Sequence, residues 1–149
     1  YRDAKKDQIP EIETAARLKI KIIAGEVNGT KGPVKDIVID PEYLDVTVPA
    51  KTEFIHPTKS GHTVFAYIPG GRGSFSDETK MFVNNNLVVL KDGEQLSVTT
   101  ENEPVSFLLI SGMPIKETVA WHGPIVMNTR KELEVAFEEY ENGTFIKHK

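Results

Sequence analysis

The chain has 149 residues, a net charge of −4 at neutral pH, 39% hydrophobic and 27% charged residues, and no cysteine. At this length about two-thirds or more of the unfolded surface is buried on folding, and the composition is that of a globular domain, not a disordered segment. Lack of cysteine excludes disulfides, thiolate zinc sites, iron–sulfur ligation and cysteine nucleophiles, and scattered Lys and Arg speak against a phosphate-gripping nucleic-acid surface.

The first dozen residues, Tyr1 to Ile12, are charged and contain Pro10. They read as an arm or linker with room for a short helical turn. From Leu18 the pattern changes: Leu18, Ile20, Ile22 and Ala24 alternate with Lys19, Lys21 and Ile23, which suits a half-buried strand. The Gly- and Asn-rich stretch 25–33 reads as a loop. Short strand-like runs follow at 37–39, 43–48, 62–68, 72–75, 80–83, 87–90, 95–100 and 105–110. Asp92-Gly93 predicts a hairpin, because that pair accepts the positive φ angles of a tight turn. Many short strands with closely spaced turn signals point to a sandwich or barrel. The longest apolar run, 105–110, is far too short for a membrane-spanning helix.

The period then switches. Thr129-Arg-Lys-Glu132 is a capping box, and Leu133, Ala136, Phe137 and Tyr140 recur at i, i+3, i+4 and i+7. Asn142-Gly143 supplies a left-handed stop. The result is one helix whose apolar stripe is expected to cover the barrel or a partner domain.

Residues with chemistry to offer are few. His56 and His62 flank a bend with Glu53 nearby, which would bring imidazole and carboxylate to a barrel mouth. Two ligands on one strand face need His-x-His, however, and Thr58 occupies the second position, so both His are expected to be solvated or bonded to backbone. Along 62–68, Val64, Ala66 and Ile68 point one way and Phe65 and Tyr67 the other. Tyr67 is expected in the core with its hydroxyl paired, the sharper reading being a ligand contact in a barrel cavity. Gly70-Gly71-Arg72-Gly73 and Gly29-Thr30-Lys31 precede no helix, so neither is a phosphate cradle; both are expected to be turns. Asn28-Gly29-Thr30 and Asn142-Gly143-Thr144 match a glycosylation pattern, but turn and cap geometry explain their Asn-Gly pairs better. The ring of Trp121, in Trp121-His122-Gly123-Pro124, reads as a packing anchor, an interface role being the alternative.

Several segments together resemble the C-terminal domain of the pirin family. They are Tyr1-Arg2-Asp3, Ala24-Gly25-Glu26, Gly32-Pro33-Val34, Tyr43-Leu44-Asp45-Val46, Phe54 to Pro57, Gly61-His62 with Phe65 and Tyr67, and Phe107-Leu108-Leu109. The closing part is the most specific: Trp121-His122-Gly123-Pro124, Val126-Met127-Asn128-Thr129, Glu132, Ala136-Phe137, Tyr140, Asn142-Gly143 and Phe145. The resemblance implies a mainly β fold, a cupin-like barrel (double-stranded β-helix, or jelly roll) with one C-terminal α-helix. It sets expected boundaries at 1–16 for an interdomain arm, 17–128 for the barrel, and 129–149 for the helix and tail.

The resemblance also implies a two-barrel protein whose N-terminal barrel holds iron or another divalent metal through three His and one Glu. Some members are quercetin-cleaving dioxygenases, and animal members are nuclear transcription cofactors. None of those ligands transfers here: His56 alone stands near the first position, no Glu follows on the His62 strand, and the 105–110 strand has no His. The expectation is a metal-free domain with no catalytic, cofactor-binding or metal residues of its own, serving as scaffold for the metal-bearing N-terminal cupin domain of the same protein. The alternatives are a share in a quercetin 2,3-dioxygenase whose activity resides in the longer protein, and an interaction module that binds a regulatory protein or self-associates. Neither nucleic acid nor membrane is expected as a direct partner. The chain opens at Tyr1 and its first methionine is Met81, so it is expected to be a piece of a longer cytoplasmic protein, with the nucleus the other compartment that the family implies.

Overall fold

The computed structural model describes residues 3–75 and 80–147; Tyr1 and Arg2, part of the resemblance above, lie outside them. Two compact units divide the chain, Tyr1–Pro114 and Ile115–Lys149. The fold is mainly β and cupin-like, with a curled barrel sheet and one C-terminal helix.

In the first unit a short 3-10 turn at Lys6–Gln8 leads into β1 (Glu11–Glu13), which pairs antiparallel with β2 (Lys19–Ala24). Part of the segment expected to be an arm is therefore an edge strand. Next come β3 (Glu26–Val27) and β4 (Thr30–Lys31), a hairpin inside the expected loop. Its turn residues Asn28 and Gly29 have φ of 49° and 80°, so the Asn-Gly pair does serve turn geometry. The unit continues with β5 (Glu42–Val48), β6 (Glu53–Pro57), β7 (Thr63–Ser74), β8 (Met81–Val83), β9 (Leu87–Val89), β10 (Gln95–Thr99) and β11 (Val105–Gly112).

The main path runs β1-β2-β5-β11-β7-β10-β6, with β8 and β9 also paired to β7. Strand β7 joins the two halves of the barrel. Its first part lies between β11 and β9, while Arg72–Ser74 pair with β8 and Ser74 meets Thr99 of β10. Between Tyr67 and Gly70 it carries one residue more than β11 opposite, a bulge that bends the strand. At Gly71 (φ 83°) an added Cβ would sit 2.0 Å from the carbonyl oxygen of Pro104. The glycine run is thus a bend inside a strand and not the expected turn, and the runs expected at 62–68 and 72–75 form one strand.

Alternation drives the rest. Leu44, Val46 and Val48 on β5, Val64, Ala66 and Ile68 on β7, and Val105, Phe107 and Leu109 on β11 are buried, while their neighbours face outward. Phe107 packs edge-on against Phe75, with centroids 5.0 Å apart, and obliquely against Phe54 at 5.9 Å. Each such ring is worth about 2–3 kcal/mol of burial.

Two further expectations fail locally. The run 37–39 is not a strand: Asp36 and Asp40, at φ of 58° and 47°, bracket it with left-handed backbone, and Val38 is exposed. Asp92-Gly93 closes no hairpin, because β9 pairs with β7 and β10 with β6. Its groups tie loops instead: the Asp92 carboxylate accepts from the Gly61 amide at 2.8 Å, and the Gly93 carbonyl accepts from the Thr58 hydroxyl at 2.8 Å.

The second unit holds β12 (Ala120–His122), β13 (Ile125–Met127) and α1 (Arg130–Glu141). The capping box forms as expected, with the Glu132 amide donating to Thr129 Oγ1 at 3.2 Å and the Thr129 amide donating to Glu132 Oε2 at 2.7 Å. At the other end the Thr144 amide reaches the Glu139 carbonyl and the Gly143 amide the Tyr140 carbonyl, the two bonds of a Schellman stop. Leu133, Ala136 and Phe137 of the helical stripe pack with Ile125, Ala120 and Met127, so what the stripe covers is its own hairpin. No helix among the described residues is long and apolar enough to cross a membrane.

The bend in β7 gives a direct test. Gly71→Ala is expected to destabilise the chain by about 3 kcal/mol, because strain and collision with Pro104 add. Gly61→Ala, also at positive φ but with open space around it, is expected to lose only about 1 kcal/mol; urea unfolding of both variants measures the difference.

Candidate functional site

The polar groups inside the barrel are few, and one pair dominates. His56 sits on β6, whose alternation buries Phe54 and His56 and exposes Glu53, Ile55 and Pro57. It is 4% exposed, contrary to the expectation of a solvated or backbone-bonded side chain. Its ring stacks on Phe54, with centroids 5.6 Å apart and planes 11° apart. Nε2 lies 2.9 Å from Oε2 of Glu42, the first residue of β5, whose side chain is also largely buried. A carboxylate only accepts, so Nε2 carries the proton in this contact. The pair satisfies two groups that would otherwise be buried at considerable cost.

The sequence spacing missed this partner. Glu42 and His56 are fourteen residues apart on strands that are not neighbours in the sheet, so only barrel closure brings them together. Glu53, the carboxylate that sequence proximity suggested, accepts instead from the Ser97 hydroxyl at 3.3 Å. His62 does not join His56. Its amide donates to the Lys59 carbonyl at 3.1 Å, and its Nδ1 is buried without a hydrogen-bond partner among the described residues.

Two clefts flank the pair. One, of about 300 Å³, is lined by His56, Phe54, Leu18, Val27, Glu26 and Glu53 among others. The other, of about 330 Å³, is lined by Glu42, Ser111, Asp40 and Lys59, and shares Glu26, Asn28 and Pro57 with the first. At the outer rim Lys59 pairs with Asp40. The Lys59 hydrogen bond holds the Asp40 carboxyl below its ordinary value; slight burial pushes it back up, and the charges of Lys59 and His62 lower it further.

A metal of the kind that the resemblance implies for the other barrel does not fit this donor set. Among the described residues no three His, Cys, Asp or Glu gather where they could hold an ion. The His56–Glu42 pair alone would leave a metal mostly water-ligated and weakly bound.

The remaining sequence candidates lie elsewhere. Tyr67 is neither a core residue nor a cavity ligand: it lies on the outer face of β7, 37% exposed, with its hydroxyl donating to Asn85 Oδ1 at 3.4 Å. Trp121 is not a packing anchor, since 74% of it is exposed and its indole N–H donates to the Gly123 carbonyl at 2.7 Å. The next residue, His122, stacks edge-on against Phe137 of the helix.

Comparison with known proteins agrees with this architecture. The family model of the pirin C-terminal cupin domain matches residues 43–146. A quercetin 2,3-dioxygenase-like protein of Thermoplasma acidophilum is 34% identical over 158 residues, covering 100% of this chain and 59% of its own length. A pirin-like protein of Solanum lycopersicum is 35% identical over 146 residues, covering 96% of this chain and 49% of its own. The crystal structure of quercetin 2,3-dioxygenase from Acinetobacter baumannii superposes with a TM-score of 0.81 at 25% identity, over 95% of this chain and 49% of that one. The chain therefore spans between about half and three-fifths of these relatives.

Two measurements follow from the polar groups. Glu42→Leu, which leaves the His56 proton unanswered inside the barrel, is expected to destabilise by about 2 kcal/mol. Adding His56→Phe should recover most of that loss, read as the coupling in a double-mutant cycle by urea unfolding. For Asp40 the folded value is depressed, so its stabilisation is complete above the ordinary value of 3.8 and is lost as pH falls through the folded one. Because the pair is solvent-exposed, Asp40→Asn should change the acid limb of a stability–pH curve by no more than a few tenths of a kcal/mol.

Proposed function

Since this chain belongs to the pirin family through its C-terminal cupin domain, we propose that it is the structural half of a two-barrel protein, docking against and supporting a metal-bearing N-terminal barrel. The observation that carries this reading is the outer face of the sheet formed by β5, β11, β7 and β9. Register places Tyr43, Ile110, Phe65 and Val89 in one row across the four strands. Leu108, Tyr67 and Leu87 form a second row beside it. Soluble strands alternate apolar-in and polar-out when one face meets water; here apolar side chains occupy both faces. Leu87 and Val89 are 58% and 68% exposed. A contiguous apolar patch of this kind marks a surface that meets another protein surface.

The interior supports the same reading from the other side. The donors that a dioxygenase metal would need are replaced by aliphatic and aromatic packing, with the His56 imidazole bonded to Glu42. In this reading, quercetin-cleaving activity of the kind named for the Acinetobacter protein belongs to the whole two-barrel protein, to which this chain contributes scaffold and interface. The hairpin of the second unit, with Trp121 and Val126 paired across it and both exposed, is a further contact surface for the same protein or for a regulatory partner. The compartment proposed is the cytoplasm.

Purified chain is expected to hold far less than one iron per molecule and to leave quercetin unchanged, while a full-length relative assayed in parallel turns it over. Stoichiometric iron or turnover by this chain alone would overturn the proposal. Leu87→Lys with Val89→Lys should weaken association with a separately produced N-terminal barrel by tenfold or more, as two buried apolar contacts become charged; titration calorimetry reads the change.

A further inference from the structure

The geometry points to a small-molecule site in the cleft beside His56, one that takes a neutral ligand with a compact apolar body and a hydroxyl or N–H donor. Three observations converge on it. First, the imidazole is fixed in place: Phe54 stacks on its face and Glu42 accepts from Nε2 at 2.9 Å. A ring held at one nitrogen by a carboxylate presents the other in a set tautomer and direction, and as neutral imidazole it offers a lone pair at Nδ1.

Second, the only side-chain hydrogen bond of His56 among the described residues is the one at Nε2, so Nδ1 is left for a ligand. The side chain is 96% buried, and the space that His56 lines is the 300 Å³ cleft. Third, the lining selects among ligands. Leu18, Ile20, Val27 and Phe54 give an apolar wall, which suits a small ring or short aliphatic body. The charged side chains beside it, Glu26 and Glu53, are both acidic; Glu26 is offset by Lys31 at 3.4 Å. An anion would meet a net negative rim, and a ligand without a donor would leave Nδ1 unsatisfied. The site lies on the barrel's β2, β3 and β6 side, apart from the apolar rows on β5, β11, β7 and β9, so it is independent of the docking role proposed above.

A titration of isotopically labelled chain with 4-ethylphenol, followed by backbone and imidazole nitrogen NMR, tests the assignment. Its methyl ether, 4-ethylanisole, lacks the donor, and 4-ethylbenzoate carries the excluded charge. Saturable shifts are expected with the phenol at residues 53–57, 18–20 and 27–28. The His56 Nδ1 resonance should move to lower frequency as it accepts a hydrogen bond. The ether should bind about tenfold more weakly, and the benzoate should give no saturable shift. His56→Phe, which preserves the stacking on Phe54, should abolish the preference for phenol over ether. Equal binding of phenol and ether, a stationary Nδ1 resonance, or shifts that never saturate would each overturn the site; the nitrogen readout on the unaltered chain does so without relying on any variant's folding. None of these outcomes bears on iron content or on association with the other barrel, which test the docking role separately.

Discussion

The barrel depends on one strand serving two sheets. Strand β7 is twelve residues long and pairs along its first part with β11 and β9, over its last three residues with β8, and at Ser74 with β10. A straight strand of that length would extend past the end of its sheet. The bulge opposite Ser106 and Leu108, and the left-handed Gly71 pressed against the Pro104 carbonyl, turn it instead. Because of that turn Phe75 arrives under Phe107 and the core closes around a cluster of aromatic rings.

Closure also decides what the interior can do. It brings β6 and the start of β5 together, so that an imidazole and a carboxylate from separate strands meet in otherwise apolar surroundings. The same closure leaves β9 and β10 unpaired with each other, so Asp92 and Gly93 act as loop ties where a hairpin would have used them as a turn. The one imidazole buried in the barrel thereby meets its carboxylate inside a core that is otherwise aliphatic and aromatic.

Much of this was legible in the residues, and the failures share a cause. Strands β2, β5, β10 and β11 and helix α1 could be read because one face of each is buried, and burial on one face writes a period into the chain. The capping box and the Asn-Gly turns could be read because their chemistry is local. Strand β6 was harder: Phe54-Ile55-His56 alternates, but its inward positions include a histidine, which reads as a polar break unless its partner is known. Tyr67 misled for the complementary reason. Its face is apolar although it points outward, and periodicity cannot tell a core face from a docking face. The family resemblance, spread over nearly the whole chain, identified the fold, whereas the Glu42–His56 contact needed coordinates because no sequence spacing encodes a cross-barrel pair.

The hairpin and helix of the second unit are held by a core whose buried hydrophobic residues, among the described ones, are Ile125, Leu133 and Ala136. So few enclosed side chains give little resistance to local opening. Amide protons of α1 should therefore exchange through excursions of that unit alone, long before those of β5 or β11 are released, and cleavage by a protease should begin in the same place. A segment that opens readily while the barrel stays shut is well suited to being reshaped by whatever it touches.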